Sequence, residues 1–220
     1  MKLYGGKDET QGVTLWFTGL PCSGKTTVSE LVLERLRRAG RRVELLDGDT
    51  VRQSLSKGLG FSRQDRDENI RRVGFVCNLL TRNGVIAIAA AVSPYRAARD
   101  EVRTLISSFV EIYVNCPPEV CAQRDVKGMY RRAFAGEILH FTGVSDPYEE
   151  PVDPELILYT HKETPEESAR KAIDLLVTKG YLDNSPAAEV ASDTPLRERS
   201  RLSGAFDSVR GRKPFGMLSV

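Results

Sequence analysis

The sequence has almost no net charge, few histidines and no long hydrophobic run, and each of these shortages excludes a class of protein. Its 32 lysines and arginines against 30 aspartates and glutamates give a formal net charge of +2, which does not favour nucleic acid or a membrane surface as a partner. No uncharged apolar stretch approaches the length of about 18 residues that a membrane span needs. The N-terminal MKLYGGKDETQG lacks the apolar segment of a secretory signal. We therefore expect a soluble, cytoplasmic protein.

Metal-binding patterns are equally scarce. The chain has two histidines and four cysteines, and no two cysteines form a Cys-x-x-Cys pair, so a zinc site is not expected. We interpret Cys77, Cys116 and Cys121 as core residues.

With 220 residues, of which 40% are hydrophobic and 28% charged, the chain can bury one substantial core, alone or with a tail.

The stretch GLPCSGKTT contains the pattern Gly-x-x-x-x-Gly-Lys-Ser/Thr, met by Gly19, Gly24, Lys25 and Thr26. In such a loop, backbone N–H groups and the lysine hold nucleotide phosphates, while the hydroxyl binds Mg²⁺. The alternative is a flexible glycine turn that carries an incidental surface lysine.

The flanks of this stretch favour phosphate binding. A β-prone apolar run at 12–17 precedes it, and apolar residues at helical spacing follow it as far as Gly40, which suits a helix C-cap. The order is therefore strand, loop, helix. Phosphates would lie at a helix N-terminus, where free N–H groups and the helix dipole favour negative charge.

Further β-prone runs alternate with helical patterns along the chain. The runs lie at 41–49, 85–92, 109–116 and, more weakly, 156–160. The clearest helical segment begins at Thr164, a capping residue followed by proline and two acids. This alternation predicts an α/β fold with a central parallel five-stranded sheet, helices on both faces and ligands at the carboxyl ends of the strands.

Polar residues follow the second and third strands, where that fold places its ligands. The second strand is followed by Asp47, Asp49 and Arg52, and the third by Ser93 and Arg96. A P-loop enzyme that transfers phosphate usually needs an acid near Mg²⁺. Since the third strand ends without one, the two aspartates are the candidates.

A purely structural alternative exists for both aspartates. Asp47 and Gly48 could form a turn, and Asp49 could cap a helix that begins near Val51. One cap requires only one aspartate, so this alternative leaves the other acid available for chemistry.

The segment GFSRQDRDENIRR at 60–72 concentrates positive charge beside acids and one aromatic residue. A solvated mixed-charge helix face accounts for Arg71 or Arg72. Arg52 and Arg66 are candidates to bind an anionic acceptor, because guanidinium groups can hold such a molecule next to the phosphates.

Taken together, GLPCSGKTT, DGDTVR, GFSRQDRDENIRR, SPYR, RDVKGMY and FTGVSDPYE resemble, in order and spacing, the motifs of adenylylsulfate kinases. The resemblance runs from about Val13 to Lys179. It implies a three-layer P-loop kinase fold with a mobile lid. It also implies transfer of the γ-phosphate of ATP to the 3′-hydroxyl of adenylyl sulfate, which yields 3′-phosphoadenylyl sulfate and ADP in sulfate assimilation.

The resemblance also implies residue roles. The expected ATP-binding residues are Gly19, Leu20, Pro21, Cys22, Ser23, Gly24, Lys25, Thr26, Thr27 and Arg124. The expected adenylyl sulfate contacts are Asp49, Arg52, Phe61, Arg66, Asn69, Val92, Ser93, Lys127 and Phe141, with the two aromatic rings on opposite faces of adenine. The expected catalytic residues are Asp47, Lys25, Ser93 and Lys127, and the expected Mg²⁺ ligands are Thr26 and Asp47.

The resemblance implies a kinase domain at 1–183, with a lid at about 126–150. The tail at 184–220 lies outside the resemblance, and its mixture of Pro, Ser, Gly and Arg favours a flexible segment, with docking onto the domain or a second subunit as the alternative. Glycines within the lid are candidate hinges for closure over both ligands. The implied partners are ATP, adenylyl sulfate, a second copy of the chain and an ATP sulfurylase.

Cys22, inside the P-loop, has two open interpretations. A thiol at a helix N-terminus can have a lowered pKa and be oxidised when ATP is absent. Alternatively, it is a small neutral filler.

The sequence leaves two other function classes open. Another small-molecule kinase would explain the P-loop but not GFSRQDRDENI or FTG. A catalytically silent nucleotide-binding regulator would bind ATP without turnover, but it would have no use for Asp47, Arg66 and Lys127.

Overall fold

The computed structural model describes residues 11–183, which form a parallel β-sheet between two layers of helices. The strands are β1 Val13–Thr18, β2 Val43–Asp47, β3 Ile86–Ala90, β4 Phe109–Asn115 and β5 Leu156–Tyr159. The helices are α1 Lys25–Arg38, α2 Gly48–Gln53, α3 Arg63–Thr81, α4 Arg96–Leu105, α5 Pro118–Arg124, α6 Met129–Phe134 and α7 Pro165–Thr178. The predicted tail at 184–220 lies outside the described residues.

All strand pairs in the sheet are parallel, in the order β2-β3-β1-β4-β5. β1 is central, and its alternating side chains enter two separate cores because successive residues of a strand point to opposite faces. Leu15 and Phe17 pack with α1 and α7, whereas Trp16 packs with α3 and α4. Since helices cover both faces, the predicted three-layer α/β arrangement is confirmed.

The helix ends agree with local chemistry. α1 starts directly from the P-loop, and after it ends Gly40 has a φ of 71°, a left-handed conformation that glycine adopts without strain. α7 begins with a capping box, in which Thr164 accepts from the backbone N–H of Glu167 while the Glu167 side chain accepts from the Thr164 N–H. The predicted start of this helix is confirmed.

The region after β2 differs from the structural alternative considered for its aspartates. α2 begins at Gly48 rather than near Val51, and Asp47 rather than Asp49 is its N-cap. Asp47 takes this position because β2 delivers it in an extended conformation, with its Oδ1 3.0 Å from the backbone nitrogen of Asp49.

A third, smaller core lies beyond the carboxyl end of β4. Its buried members are Cys116, Cys121, Tyr130, Ala133 and Phe141. They join α5 to the segment 126–150, which includes α6 and therefore packs on a core separate from the two beside the sheet. Cys77, on α3, lies in the core between the sheet and the helices α3 and α4, so the three cysteines predicted to be core residues are confirmed as buried.

Across 11–183, no helix has both the length and the apolar character of a membrane span.

Candidate active site

The P-loop leaves the sheet at the carboxyl end of β1 and requires two of its glycines. Gly19 has a φ of 150°, and a Cβ there would lie 2.5 Å from the carbonyl oxygen of Val114. Gly24 has a φ of 100° and is the N-cap of α1. A side chain at either position would move the loop, so these glycines set the path that aims backbone N–H groups into the site.

Lys25 lies inside the loop and is 8% exposed. Its Nζ donates to the carbonyl oxygens of Gly19 and Leu20 at 3.0 and 2.6 Å, and to the Ser23 hydroxyl at 3.4 Å. Burial lowers the pKa of Lys25 to about 8, because the ammonium loses hydration. A polyphosphate would stabilise that charged form, so this lysine is suited to an anionic ligand.

Thr26 and Asp47 bring a hydroxyl and a carboxylate together beside the loop. The Thr26 Oγ1 donates to Asp47 Oδ2 over 2.9 Å. Protein-bound Mg²⁺ commonly uses one or two protein oxygens, with phosphate oxygens and waters completing its shell. The pair fits such an ion. Within 11–183 no cluster of three or more His, Cys, Asp or Glu side chains offers another metal site.

A cleft of about 970 Å³ opens at the carboxyl edge of the sheet. It is lined by most of the predicted site residues, namely Pro21, Cys22, Gly24, Lys25, Thr26, Thr27, Asp47, Asp49, Arg52, Phe61, Arg66, Asn69, Val92, Ser93, Arg124, Lys127 and Phe141. Three predicted P-loop residues do not line it. Gly19, Leu20 and Ser23 supply the oxygens that hold the Lys25 ammonium instead.

Two guanidinium groups and an aromatic ring form one wall of the cleft. The guanidinium carbons of Arg52 and Arg66 lie 4.5 and 5.6 Å from the centre of the Phe61 ring. Burial lowers the pKa of both arginines, and the positive charge of Arg66 adds to this effect on Arg52. Among the described residues, neither arginine forms an ion pair with a carboxylate, so this wall attracts an anion.

Arg66 also ties this wall to the segment 126–150. Its Nε donates to the Phe61 carbonyl oxygen at 2.9 Å, its Nη1 donates to Thr142 Oγ1 at 2.9 Å, and its Nη2 donates to the carbonyl oxygen of His140. The five N–H groups of a guanidinium are therefore only partly used. Nearby, the buried Asn69 Oδ1 has no hydrogen-bond partner within the described chain, which leaves an acceptor for a ligand.

The two rings predicted to contact adenine differ in their exposure to solvent. Phe141 is buried against Tyr130, with ring centres 5.0 Å apart at an interplanar angle of 75°. Phe61 is 55% exposed. Both rings line the cleft. Their placement on opposite faces of one adenine stays a prediction.

Lys127, Ser93 and Arg124 have partners within the protein. The Lys127 ammonium forms an ion pair with the carboxylate of Asp49, which joins the predicted lid to the start of α2. The buried Ser93 hydroxyl accepts from Trp16 Nε1 at 3.1 Å and lies 2.9 Å from Thr18 Oγ1. Arg124 Nη2 donates to the Thr160 carbonyl oxygen at 2.6 Å, beside the P-loop.

Cys22 is half-buried, with a φ of 59°. It packs against the small core beyond β4, so it fills space there. Its oxidation stays a hypothesis.

Several residues that shape the site were not predicted from the sequence. Thr18 and Tyr148 share a hydrogen bond of 2.9 Å, and Thr18 also donates to the Val92 carbonyl oxygen at 2.9 Å. Arg99 and Glu111 form a buried ion pair behind Ser93. The ion pair of Glu111 could have been predicted from the sequence, because a lone acid in the otherwise apolar run FVEIYVNC needs a charged or hydrogen-bonding partner when it is buried.

Comparisons with known proteins identify the family of this chain. The model of the Adenylylsulphate kinase family matches residues 11–159. The adenylyl-sulfate kinase of Picosynechococcus sp. is 59% identical over 174 residues, which cover 79% of this chain and 98% of that protein.

Solved structures give the same result. The APS kinase of Mycobacterium tuberculosis in complex with AMPPNP and APS aligns with a TM-score of 0.73 and 42% identity, over 76% of this chain and 98% of that one. The hexameric APS kinase from Thiobacillus denitrificans aligns with a TM-score of 0.62 and 39% identity, over 79% of this chain and 30% of that longer one. With its family model, its relatives and its P-loop cleft in agreement, the chain belongs to the adenylylsulfate kinase family.

Proposed function

We infer that this protein is an adenylylsulfate kinase, which transfers the γ-phosphate of ATP to the 3′-hydroxyl of adenylyl sulfate and releases 3′-phosphoadenylyl sulfate and ADP. The observation that carries this function is a single cleft with two chemically distinct sides. One side is the P-loop with Lys25 and the Thr26–Asp47 pair, and the other is the wall formed by Arg52, Arg66 and Phe61. A nucleotide donor fits the first side, and an anionic, aromatic acceptor fits the second.

The donor side binds ATP. Gly19 to Thr27 wrap the phosphates, and Lys25 neutralises charge on the β- and γ-phosphates. Arg124 lies beside the loop next to Thr160, at the edge of the cleft where the rest of the nucleotide would extend. Since phosphoryl transfer depends mainly on positioning and charge stabilisation, a rigid loop with a buried cation supplies much of what the reaction needs.

Asp47 is proposed as the residue that organises the transfer. With Thr26 it would hold Mg²⁺, which would neutralise part of the negative charge on the phosphates. The same carboxylate, at the carboxyl edge of β2, can accept the proton of the attacking hydroxyl, a role that is typically worth about 10² to 10⁴ in rate. Its second oxygen is fixed by the backbone of α2, which limits its rotation.

The acceptor side binds adenylyl sulfate. Arg52 and Arg66 would hold its anionic groups, and Phe61 and Phe141 offer rings for adenine. The unpartnered Asn69 oxygen can accept from the exocyclic amino group of adenine, which is a hydrogen-bond donor. Together with Asp49, Val92, Ser93 and Lys127, these residues would fix the ribose with its 3′-hydroxyl towards ATP.

The segment 126–150 is proposed as a lid that keeps water from the transferred phosphate. Its glycines at 128, 136 and 143 have positive φ values of 64°, 75° and 89°, so each permits a chain direction that other residues resist. The Lys127–Asp49 ion pair and the Arg66 contacts hold it near the cleft.

The decisive experiment is ATP-dependent formation of 3′-phosphoadenylyl sulfate by the purified chain with Mg²⁺, measured by chromatography beside coupled ADP release. Another small-molecule kinase would release ADP with a different acceptor from a substrate panel, and none with adenylyl sulfate. A silent regulator would bind ATP and release no ADP with any acceptor. Either result would overturn the proposed function.

We also propose that the enzyme acts in the cytoplasm as a homodimer, in functional partnership with an ATP sulfurylase. The hexameric Thiobacillus denitrificans relative supports self-association in this family. Light scattering at working concentration gives the oligomeric state, and a monomer mass would contradict the dimer.

A further inference from the structure

A buried ion pair lies directly behind the acceptor side of the cleft. Arg99 on α4 and Glu111 on β4 are 1% and 5% exposed, and Arg99 Nε donates to Glu111 Oε1 over 2.8 Å. Buried pairs of this kind are poor sources of stability, because the loss of hydration offsets most of the attraction. The position therefore calls for an explanation other than folding energy.

The rest of the Arg99 guanidinium supplies that explanation. Its Nη1 donates to the carbonyl oxygen of Ser93 at 2.6 Å, and its Nη2 donates to the carbonyl oxygen of Glu149 at 2.6 Å. One planar group thus holds three oxygens from three separate parts of the chain. A lysine ammonium on a flexible stem cannot reproduce this fork.

Both of these carbonyl groups belong to functional segments. Ser93 lines the cleft and has a φ of 40°, which a non-glycine residue keeps only when its surroundings hold it there. Glu149 lies at the end of the segment 126–150. Arg99 therefore fixes the acceptor side of the cleft and the end of the proposed lid relative to each other.

Neighbouring contacts strengthen this connection. The Glu149 N–H donates to the Pro94 carbonyl oxygen at 2.8 Å, and Glu149 Oε2 accepts from the Arg96 N–H at 2.8 Å. The Arg96 guanidinium donates to the carbonyl oxygen of Glu150. The bonds made by Arg96 lie at exposed positions, whereas the bonds of Arg99 to Glu111 and Ser93 are buried and stronger for that reason.

We propose that Arg99 is a positioning residue for the phosphoryl transfer, a role that rests on the proposed function. It acts through Ser93 and Glu149, which place adenylyl sulfate and the end of the lid for reaction. Arg99 does not line the cleft, and its hydrogen bonds go to Glu111, Ser93 and Glu149 rather than to the P-loop or the Thr26–Asp47 pair.

The test compares Arg99→Lys with Arg103→Lys. Arg103 is a matched control, because it pairs with the same Glu111, and with Glu155, but makes no hydrogen bond to Ser93 or Glu149. For Arg99→Lys we expect kcat/KM for adenylyl sulfate to fall about 10- to 100-fold, while KM for ATP changes less than about threefold. For Arg103→Lys we expect both constants to change less than about threefold.

A readout independent of activity accompanies the kinetics. Cleavage of the segment 126–150 by limited proteolysis should be faster in Arg99→Lys than in wild type and unchanged in Arg103→Lys. If wild type forms no 3′-phosphoadenylyl sulfate, the proposed function fails, yet this proteolysis difference still tests whether Arg99 holds the lid.

A second variant covers the case in which Arg99→Lys fails to fold. Arg99→Met combined with Glu111→Leu removes both buried charges, a replacement that buried ion pairs often tolerate, but leaves Ser93 and Glu149 without their donor. It should show the same selective loss with adenylyl sulfate. Equal losses for ATP and adenylyl sulfate, equal losses in the Arg99 and Arg103 variants, or wild-type kinetics in a folded Arg99 variant would overturn the proposal.

Discussion

Asp47 and Thr26 lie on different elements of the chain, yet the threonine hydroxyl donates to Asp47 Oδ2 over 2.9 Å. The contact joins the first turn of α1 to the carboxyl end of β2, although β3 lies between β1 and β2 in the sheet. Asp47 Oδ1 simultaneously caps α2. One carboxylate thus links the first turn of α1 to the start of α2.

Lys25→Ala should lower turnover by about 10² to 10³-fold, because removing one preorganised charge from the transferred phosphate has an effect of that order. Stability should not fall, since the variant also removes a buried, poorly hydrated ammonium. Initial rates and thermal unfolding measure both effects. A variant with near-normal activity would show that the loop does not hold the reacting phosphates.

Thr26→Ala should weaken the use of Mg²⁺, so that the Mg²⁺ concentration for half-maximal rate rises. Thr26→Ser is the matched control, because it keeps the hydroxyl beside Asp47 and should behave like wild type. The measurement is a Mg²⁺ titration at fixed ATP. Identical titration curves for the alanine and serine variants would contradict a metal-binding hydroxyl.

Asp47→Asn should lower turnover by about 10² to 10⁴-fold, because the side chain loses both its charge and its basicity. The fold should be retained, since asparagine caps helices about as well as aspartate. Asp49→Asn is the control, because Asp49 is exposed and its carboxylate contacts Lys127 rather than Thr26. A dead Asp49 variant beside a fully active Asp47 variant would reverse the two roles.

Arg66→Ala should weaken the productive use of adenylyl sulfate far more than ATP affinity. A charge-assisted hydrogen bond is worth about 1.5 to 3 kcal/mol, so kcat/KM for adenylyl sulfate should fall by at least about tenfold. Arg71→Ala on the same helix is the control, because its ion pair with Glu101 is exposed. Equal effects of Arg66→Ala on the two substrates would show that Arg66 is structural and acts only through its bonds to Phe61, His140 and Thr142.

Thr164→Ala should lower the free energy of unfolding by about 0.5 to 2 kcal/mol, because α7 loses the side chain that caps its first turn. Thr164→Ser keeps the hydroxyl and should retain most of that stability. Urea unfolding measures the difference. A stability unchanged in the alanine variant would show that the capping box contributes nothing.

Local sequence signals predicted much of this fold correctly. The strand at 109–116 and the capped helix from Thr164 need only apolar periodicity and end residues, and the structure confirms them within one or two residues. The P-loop was also predictable, because its glycines, lysine and threonine form a local pattern, although the close approach of Gly19 to Val114 is visible only in the fold. The alternative in which Asp49 caps a helix that begins near Val51 is wrong, because α2 begins at Gly48 and Asp47 is its N-cap.

The sequence by itself determined the alternation of strands and helices, the phosphate-binding loop and the acidic and basic residues available for chemistry, because these are properties of neighbouring residues. Tertiary structure alone decided which of them meet. Three sets of hydrogen bonds join positions that are distant in the chain. They connect Thr26 with Asp47, Arg66 with His140 and Thr142, and Arg99 with Ser93 and Glu149. Such contacts depend on the strand order and on helix packing, and no local spacing encodes either of them.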